Sequence, residues 1–103
     1  MKENLEITEE KNNGVVKFFV KGRIDATSAD MLDYKLQNAF KDGQSKIILN
    51  MSLVEYLSSI GIRVILKTYK QAAETGGKFN IEHPSEFVKN VLGMTALDSM
   101  LIE

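Results

Sequence analysis

Cysteine is absent from this chain of 103 residues. That removes disulfides, thiolate metal sites and a cysteine nucleophile, and nothing points to an oxidising compartment. Histidine occurs once, at His83. A zinc site here would need carboxylates gathered from afar, so no metal is expected, and a serine hydrolase would have only this distant imidazole as its base. The Gly-x-Ser-x-Gly elbow is missing, and Gly76-Gly77 has neither the length nor the Gly-Lys-Ser/Thr ending of a phosphate-cradling loop. No catalytic residue and no cofactor is assigned. A dominant charge is lacking too: 13 basic residues against 14 acidic ones leave a formal net charge of -1. This gives no footprint for nucleic acid or an anionic membrane. No apolar run approaches a membrane span, and Met1-Lys2-Glu3-Asn4 lacks the apolar core of a signal peptide. A non-enzymatic, cytoplasmic protein is the expectation.

What is present reads as one globular domain over residues 1–103, with 44% hydrophobic and 26% charged residues. Two alternating segments, Leu5 to Glu9 and Val15 to Lys21, flank Asn12-Asn13-Gly14, a strong hairpin signal. The second segment is apolar on both faces and belongs away from a sheet edge. Thr27 and Asp30 have capping-box spacing before a helix that buries Ala29, Leu32, Leu36, Ala39 and Phe40 and ends at Asp42-Gly43. Lys46 to Met51 is a short continuous apolar run, as in a central strand, and a loop bearing Ser58 and Ser59 follows it.

A second helix shows a stripe at Ile62, Ile65, Leu66, Tyr69, Ala72 and Ala73, closed by Thr75-Gly76-Gly77. Lys78 to Ile81 alternates as a strand. His83-Pro84-Ser85 opens a third helix, with Val88, Val91 and Leu92 inward and Gly93 closing it. Ser99 to Ile102 adds a last strand. The fold class is therefore α/β, a mixed sheet with helices packed on it, in the order β-β-α-β-α-β-α-β.

The richest segment is Tyr56-Leu57-Ser58-Ser59-Ile60-Gly61-Ile62-Arg63, where a loop becomes a helix. Either serine can cap the free N–H groups of the first turn, accept a phosphoryl group, or both. Gly61 admits a close approach, whether by a partner or by the domain's own sheet. Asp25 either faces a partner or favours the start of the first helix. Asn50 is placed to tie the Ser58 loop through its amide, and Met94 is either a core filler or a docking contact.

Together these segments resemble the anti-sigma-factor antagonists, small bacterial proteins with the STAS domain fold, over nearly the whole chain. Gly22-Arg23-Ile24-Asp25 is similar to the family's Gly-x-x-Asp entry to the first helix. Ile47-Ile48-Leu49-Asn50 is similar to its central strand with a terminal Asn or Asp, and Gly76-Gly77 to the Gly-Gly before its fourth strand. The family loop commonly reads aromatic-x-Asp-Ser-Ser/Thr-Gly-Leu-Gly-Val. Aligned without a gap, Gly61 matches the family glycine and Ser59 the serine that the partner kinase phosphorylates. Ser58 replaces the usual Asp, and Ile60 replaces a second Ser or Thr.

The resemblance implies that the unmodified protein binds an anti-sigma factor that is also a serine kinase, which frees a sigma factor. Phosphorylation of Ser59, with Ser58 the second choice, ends that binding. It also implies a partner surface of Arg23, Asp25, Ser58, Ser59, Gly61 and Arg63, a PP2C-type phosphatase as a further partner, and a monomer or weak dimer. Isolated STAS domains also resemble subunits of membrane-lipid ABC transporters, where the same loop region docks on an ATPase without phosphorylation. The substitutions at Ser58 and Ile60 keep that alternative open.

Overall fold

The computed structural model describes residues 4–102. Met1, Lys2 and Glu3, on which most of the N-terminal reading rests, lie outside the described residues, as does Glu103. The elements are β1 (Leu5–Asn12), β2 (Val15–Ile24), α1 (Ala29–Lys41), β3 (Lys46–Leu57), α2 (Ser59–Glu74), β4 (Lys78–Glu82), α3 (Glu86–Met94) and α4 (Asp98–Leu101). They build a mixed four-stranded sheet in the order β1-β2-β3-β4. β1 and β2 are antiparallel, and the pairs β2–β3 and β3–β4 are parallel.

The hairpin forms where expected. Asn13 and Gly14 take φ of 51° and 80°, the positive values that a two-residue turn between right-twisted strands requires. β2 lies inside the sheet, with Val16, Phe18 and Val20 buried on one face and Val15, Lys17 and Phe19 half-buried on the other. The first helix buries Ala29, Leu32, Leu36 and Ala39, with Phe40 partly covered, as the spacing predicts. Burying a leucine completely contributes about 1.5–3 kcal/mol, so Leu32 and Leu36 are the largest single contributors on the inward face of α1.

The stripe of α2 is rotated from the expected one. Gly61, Val64, Ile65, Thr68 and Ala72 are buried, Ile62 and Tyr69 flank them, and Ala73 is exposed. A count of large apolar residues passes over Gly61 and Thr68, and the angle it settles on leaves out Val64 as well. Thr68 is nevertheless fully buried, because its hydroxyl donates to the Val64 carbonyl at 2.8 Å and so carries no unpaired polar group into the core.

β3 runs six residues further than the apolar run suggests, to Leu57. Between Asn50 and Leu53, and again between Val54 and Tyr56, it carries one more residue than β2 opposite it. These two bulges change the inward spacing from two residues to three, so Met51, Val54 and Leu57 all point into the core. Asn50 supports the first bulge rather than the Ser58 loop: its Oδ1 accepts from the Ser52 N–H at 3.1 Å and the Ser52 hydroxyl at 2.9 Å.

α3 is tied to this extension. The Ser85 N–H donates to the Met51 carbonyl at 3.1 Å. The Ser85 hydroxyl donates to the Val54 carbonyl at 2.7 Å while accepting from the Val88 N–H. Residues 99–101, expected in a last strand, form a helical turn, and strand pairing is limited to one parallel bridge between Ile102 and Ile81. Met94 is 80% exposed and is no core filler.

Three helices end in the same hydrogen-bonded motif, in which the residue after the C-cap turns left-handed. Gly43 and Gly76 fill that place after α1 and α2. After α3 the place falls to Ala96, at φ 58°, with the Leu97 N–H bonded to the Leu92 carbonyl at 2.9 Å. Gly93, expected to close α3, lies inside it instead. A left-handed alanine costs roughly 1–2 kcal/mol. Ala96→Gly is therefore expected to stabilise the protein by about 1 kcal/mol, and Ala96→Val to destabilise it, as read from the urea midpoint.

Candidate functional site

The ends of β2 and β3 lie side by side, with Arg23 paired to Tyr56 and Ile24 to Leu57. One residue, Ser58, then turns the chain into α2. Its N–H donates to the Ile24 carbonyl at 2.9 Å. Its backbone is extended, at φ −83° and ψ 169°, and its hydroxyl accepts from the Gly61 N–H at 3.2 Å. Ser58 is therefore the N-cap. Ser59, the first helical residue, is exposed, and its hydroxyl has no hydrogen bond among the described residues. The two roles open to either serine are thus divided: Ser58 is committed to the helix, and Ser59 is available for chemistry. The N–H groups of Ser59 and Ile60 have no protein acceptor among the described residues, so an anion on Ser59 would meet open donors at the positive end of a helix.

Gly61 lies beneath this turn and is buried. A Cβ there would sit 2.6 Å from Cγ2 of Ile24 and 2.7 Å from Cδ1 of Leu57. The Ile24 methyl is fixed to a branched Cβ and has little room to swing aside. Packing of α2 on the sheet therefore accounts for the glycine, and Gly61 shapes the site from below without presenting surface.

The β2–α1 connection forms the other side of the site. The expected capping box at Thr27 is not formed, because Asp25 organises the turn. Its Oδ1 accepts from the Thr27 hydroxyl at 2.7 Å, the Thr27 N–H at 3.0 Å and the Ser28 N–H at 3.2 Å. The Thr27 hydroxyl, with help from the Thr27 N–H and from Ser28, holds the Asp25 carboxyl below its ordinary pKa. Ser28, almost fully buried, donates to the Arg23 carbonyl at 2.6 Å and accepts from the Asp25 N–H at 3.0 Å. Of the two readings of Asp25, the helix-start role is visible in these bonds.

The Arg23 guanidinium lies 4.4 Å from the centre of the Tyr56 ring, a cation–π contact. Tyr56 in turn tilts against Phe87, with centroids 5.4 Å apart. The expected residues Arg23, Asp25, Ser58 and Ser59 thus gather at one end of the sheet, and Arg63 is exposed one helical turn beyond Ser59. Sequence reasoning missed Phe87 as a neighbour of the site. Its signal was hidden in β3, whose bulges conceal that Tyr56 belongs to a strand and that α3 packs beside it. Half-exposed Ile60 adds an apolar rim next to Ser59. Among the described residues no group of three or more His, Cys, Asp or Glu could hold a metal ion, and no helix is long and apolar enough to cross a membrane.

Comparison with known proteins agrees with this architecture. A family model described as the STAS domain matches residues 6–102. An anti-sigma F factor antagonist of Paenibacillus polymyxa is 28% identical over 95 residues, which are 91% of this chain and 81% of the relative. The structure of the anti-sigma factor antagonist SpoIIAA in its unphosphorylated form superposes with a TM-score of 0.82 at 19% identity, covering 94% of this chain and 86% of the other. The phosphorylated form of the Bacillus cell fate determinant SpoIIAA gives 0.76 at 18% identity, covering 94% of this chain and 89% of the other.

Two outcomes follow from the geometry. Ser58→Ala removes the cap and should lower stability by about 1 kcal/mol, whereas Ser59→Ala, which breaks no hydrogen bond, should stay within about 0.5 kcal/mol of the native protein in a urea titration. Asp25→Asn tests the carboxylate. The folded pKa lies below the unfolded one, so the stabilisation is present at neutral pH and is lost as pH falls below about 4 through the folded value. The variant should melt below the native protein at pH 7, and the gap should narrow in acid.

Proposed function

The chain belongs to the STAS domain family, and we propose that it acts, as one domain, as an anti-sigma factor antagonist, a binding regulator and not an enzyme. In this reading the unphosphorylated protein binds an anti-sigma factor that is also a serine kinase, and a sigma factor is released. Phosphorylation of Ser59 ends the binding, and a PP2C-type phosphatase restores it. The proposal is supported by the names of several relatives, among them the antagonists of Paenibacillus polymyxa and Bacillus subtilis. The observation that carries the choice of residue is the division of labour at the start of α2, where Ser58 caps and Ser59 stands free. Arg23, Asp25 and Arg63 complete the proposed partner surface around it.

The physics of the switch requires no refolding. A phosphoserine brings about 1.5 to 2 negative charges at neutral pH. Within the domain that charge sits at the favourable end of a helix, so the fold tolerates it. In a complex the same charge is buried against a partner. Left uncompensated there, it costs about 3–5 kcal/mol, or roughly two to three and a half powers of ten in affinity.

The test is incubation with the serine-kinase anti-sigma factors of the source organism and ATP, followed by mass spectrometry and a binding assay. The expected result is one phosphate on Ser59, its absence in Ser59→Ala, its persistence in Ser58→Ala, and loss of binding on modification. No modification and no binding by any candidate kinase would overturn the proposal in favour of docking to a transporter ATPase.

A further inference from the structure

Ser59 and Arg63 stand four residues apart in α2, and both are exposed. They therefore lie one above the other on a single helix face. Long side chains on a helix lean toward its N-terminus, so the reach of Arg63 covers the turn that carries Ser59 and not the turn beyond. Among the described residues Arg63 has no ion pair, hydrogen bond or ring contact, and the first turn of α2 contains no acidic side chain. Two of the neighbouring charged groups are already engaged, Arg23 on the Tyr56 ring and Asp25 with Thr27 and Ser28, whereas Glu55 is exposed and has no ion pair among the described residues. Arg63 is a cation without an anion among the described residues, one helical turn on from the residue whose hydroxyl is free.

We propose that Arg63 is the intramolecular receptor for a phosphate on Ser59. The inference rests on the reading of Ser59 as the modified residue. An anion four residues N-terminal to a cation is the favoured order on a helix, and a guanidinium offers phosphate oxygens two parallel donors where an ammonium offers a point charge. In the unmodified protein Arg63 is free to meet a carboxylate of the partner. In the modified protein it is drawn back over its own helix. Phosphorylation then changes the surface twice, by adding negative charge and by withdrawing a positive one, while the backbone stays as it is.

The experiment places phosphoserine at position 59 during translation, without any kinase, and follows its phosphorus NMR signal against pH. The second phosphate pKa, ordinarily about 6, should be lower in the otherwise native protein than in Arg63→Gln by about 0.2–0.4 unit at low salt. Arg63→Lys should keep part of the shift, and the difference should vanish in about 1 M salt. Identical titrations of the native and R63Q proteins would overturn the proposal. Because the phosphate is installed directly, that result is independent of whether any kinase modifies Ser59, and a failed kinase assay bears on the proposed function alone.

Discussion

The contact on which the site depends is the seating of the first turn of α2 on the ends of β2 and β3. Gly61 lets the helix backbone come within touching distance of Ile24 and Leu57, and the Ser58 N–H locks the same corner to the Ile24 carbonyl. With the helix held so closely, the cap has to come from Ser58, and the next hydroxyl is turned outward. The exposure of Ser59 is thus a product of core packing. The same seating brings the β2–α1 connection alongside, so Arg23 and Asp25 border the serine although more than 30 residues of sequence separate them.

Much of the architecture could be read from residue pattern, because in most elements local preference and burial agree. The Asn13-Gly14 turn, the alternation of β2 and the inward face of α1 each follow one rule, and the rule holds. Misreadings came where two requirements compete. In β3 the bulges replace an alternation of two by a spacing of three, so residues 52–57 look like loop. In α2 the inward face includes a glycine and a hydroxyl that pays its own hydrogen bond, so a search for large apolar residues settles on the wrong angle. At Ala96 the chain ends a helix left-handed without glycine, and the signal was assigned to Gly93 instead. At the site, the types and positions of Ser58, Ser59 and Asp25 were legible. What no linear pattern could convey was which serine caps, since that depends on the placement of the helix against the sheet.

Asp25 and Ser28 show how the second side of the site is stiffened. One carboxylate oxygen collects several donors of Thr27 and Ser28, while the Ser28 hydroxyl bridges the Arg23 carbonyl and the Asp25 N–H. A connection held this way has little conformational freedom left to lose, so any association through it would carry a lower entropic cost. Arg23 is steadied in the same sense by lying on the Tyr56 ring, which itself rests on Phe87.

The hairpin at the far end of the sheet also bears on how the chain reaches this arrangement. β1 and β2 are joined by two residues, and such a pair closes on a scale of about 1–10 μs. The pairing of Val15 with Lys46 instead spans all of α1 and carries a larger loop-closure cost. The turn prepares for that later step, because the Gly14 carbonyl receives the N–H groups of both Ser45 and Lys46, at 2.7 and 3.2 Å. Once formed, the hairpin therefore presents β2 as a template together with the first foothold for β3. That foothold lies at the opposite end of the strands from Ser59, so the residues that join β2 to β3 first in space are not those that shape the candidate site.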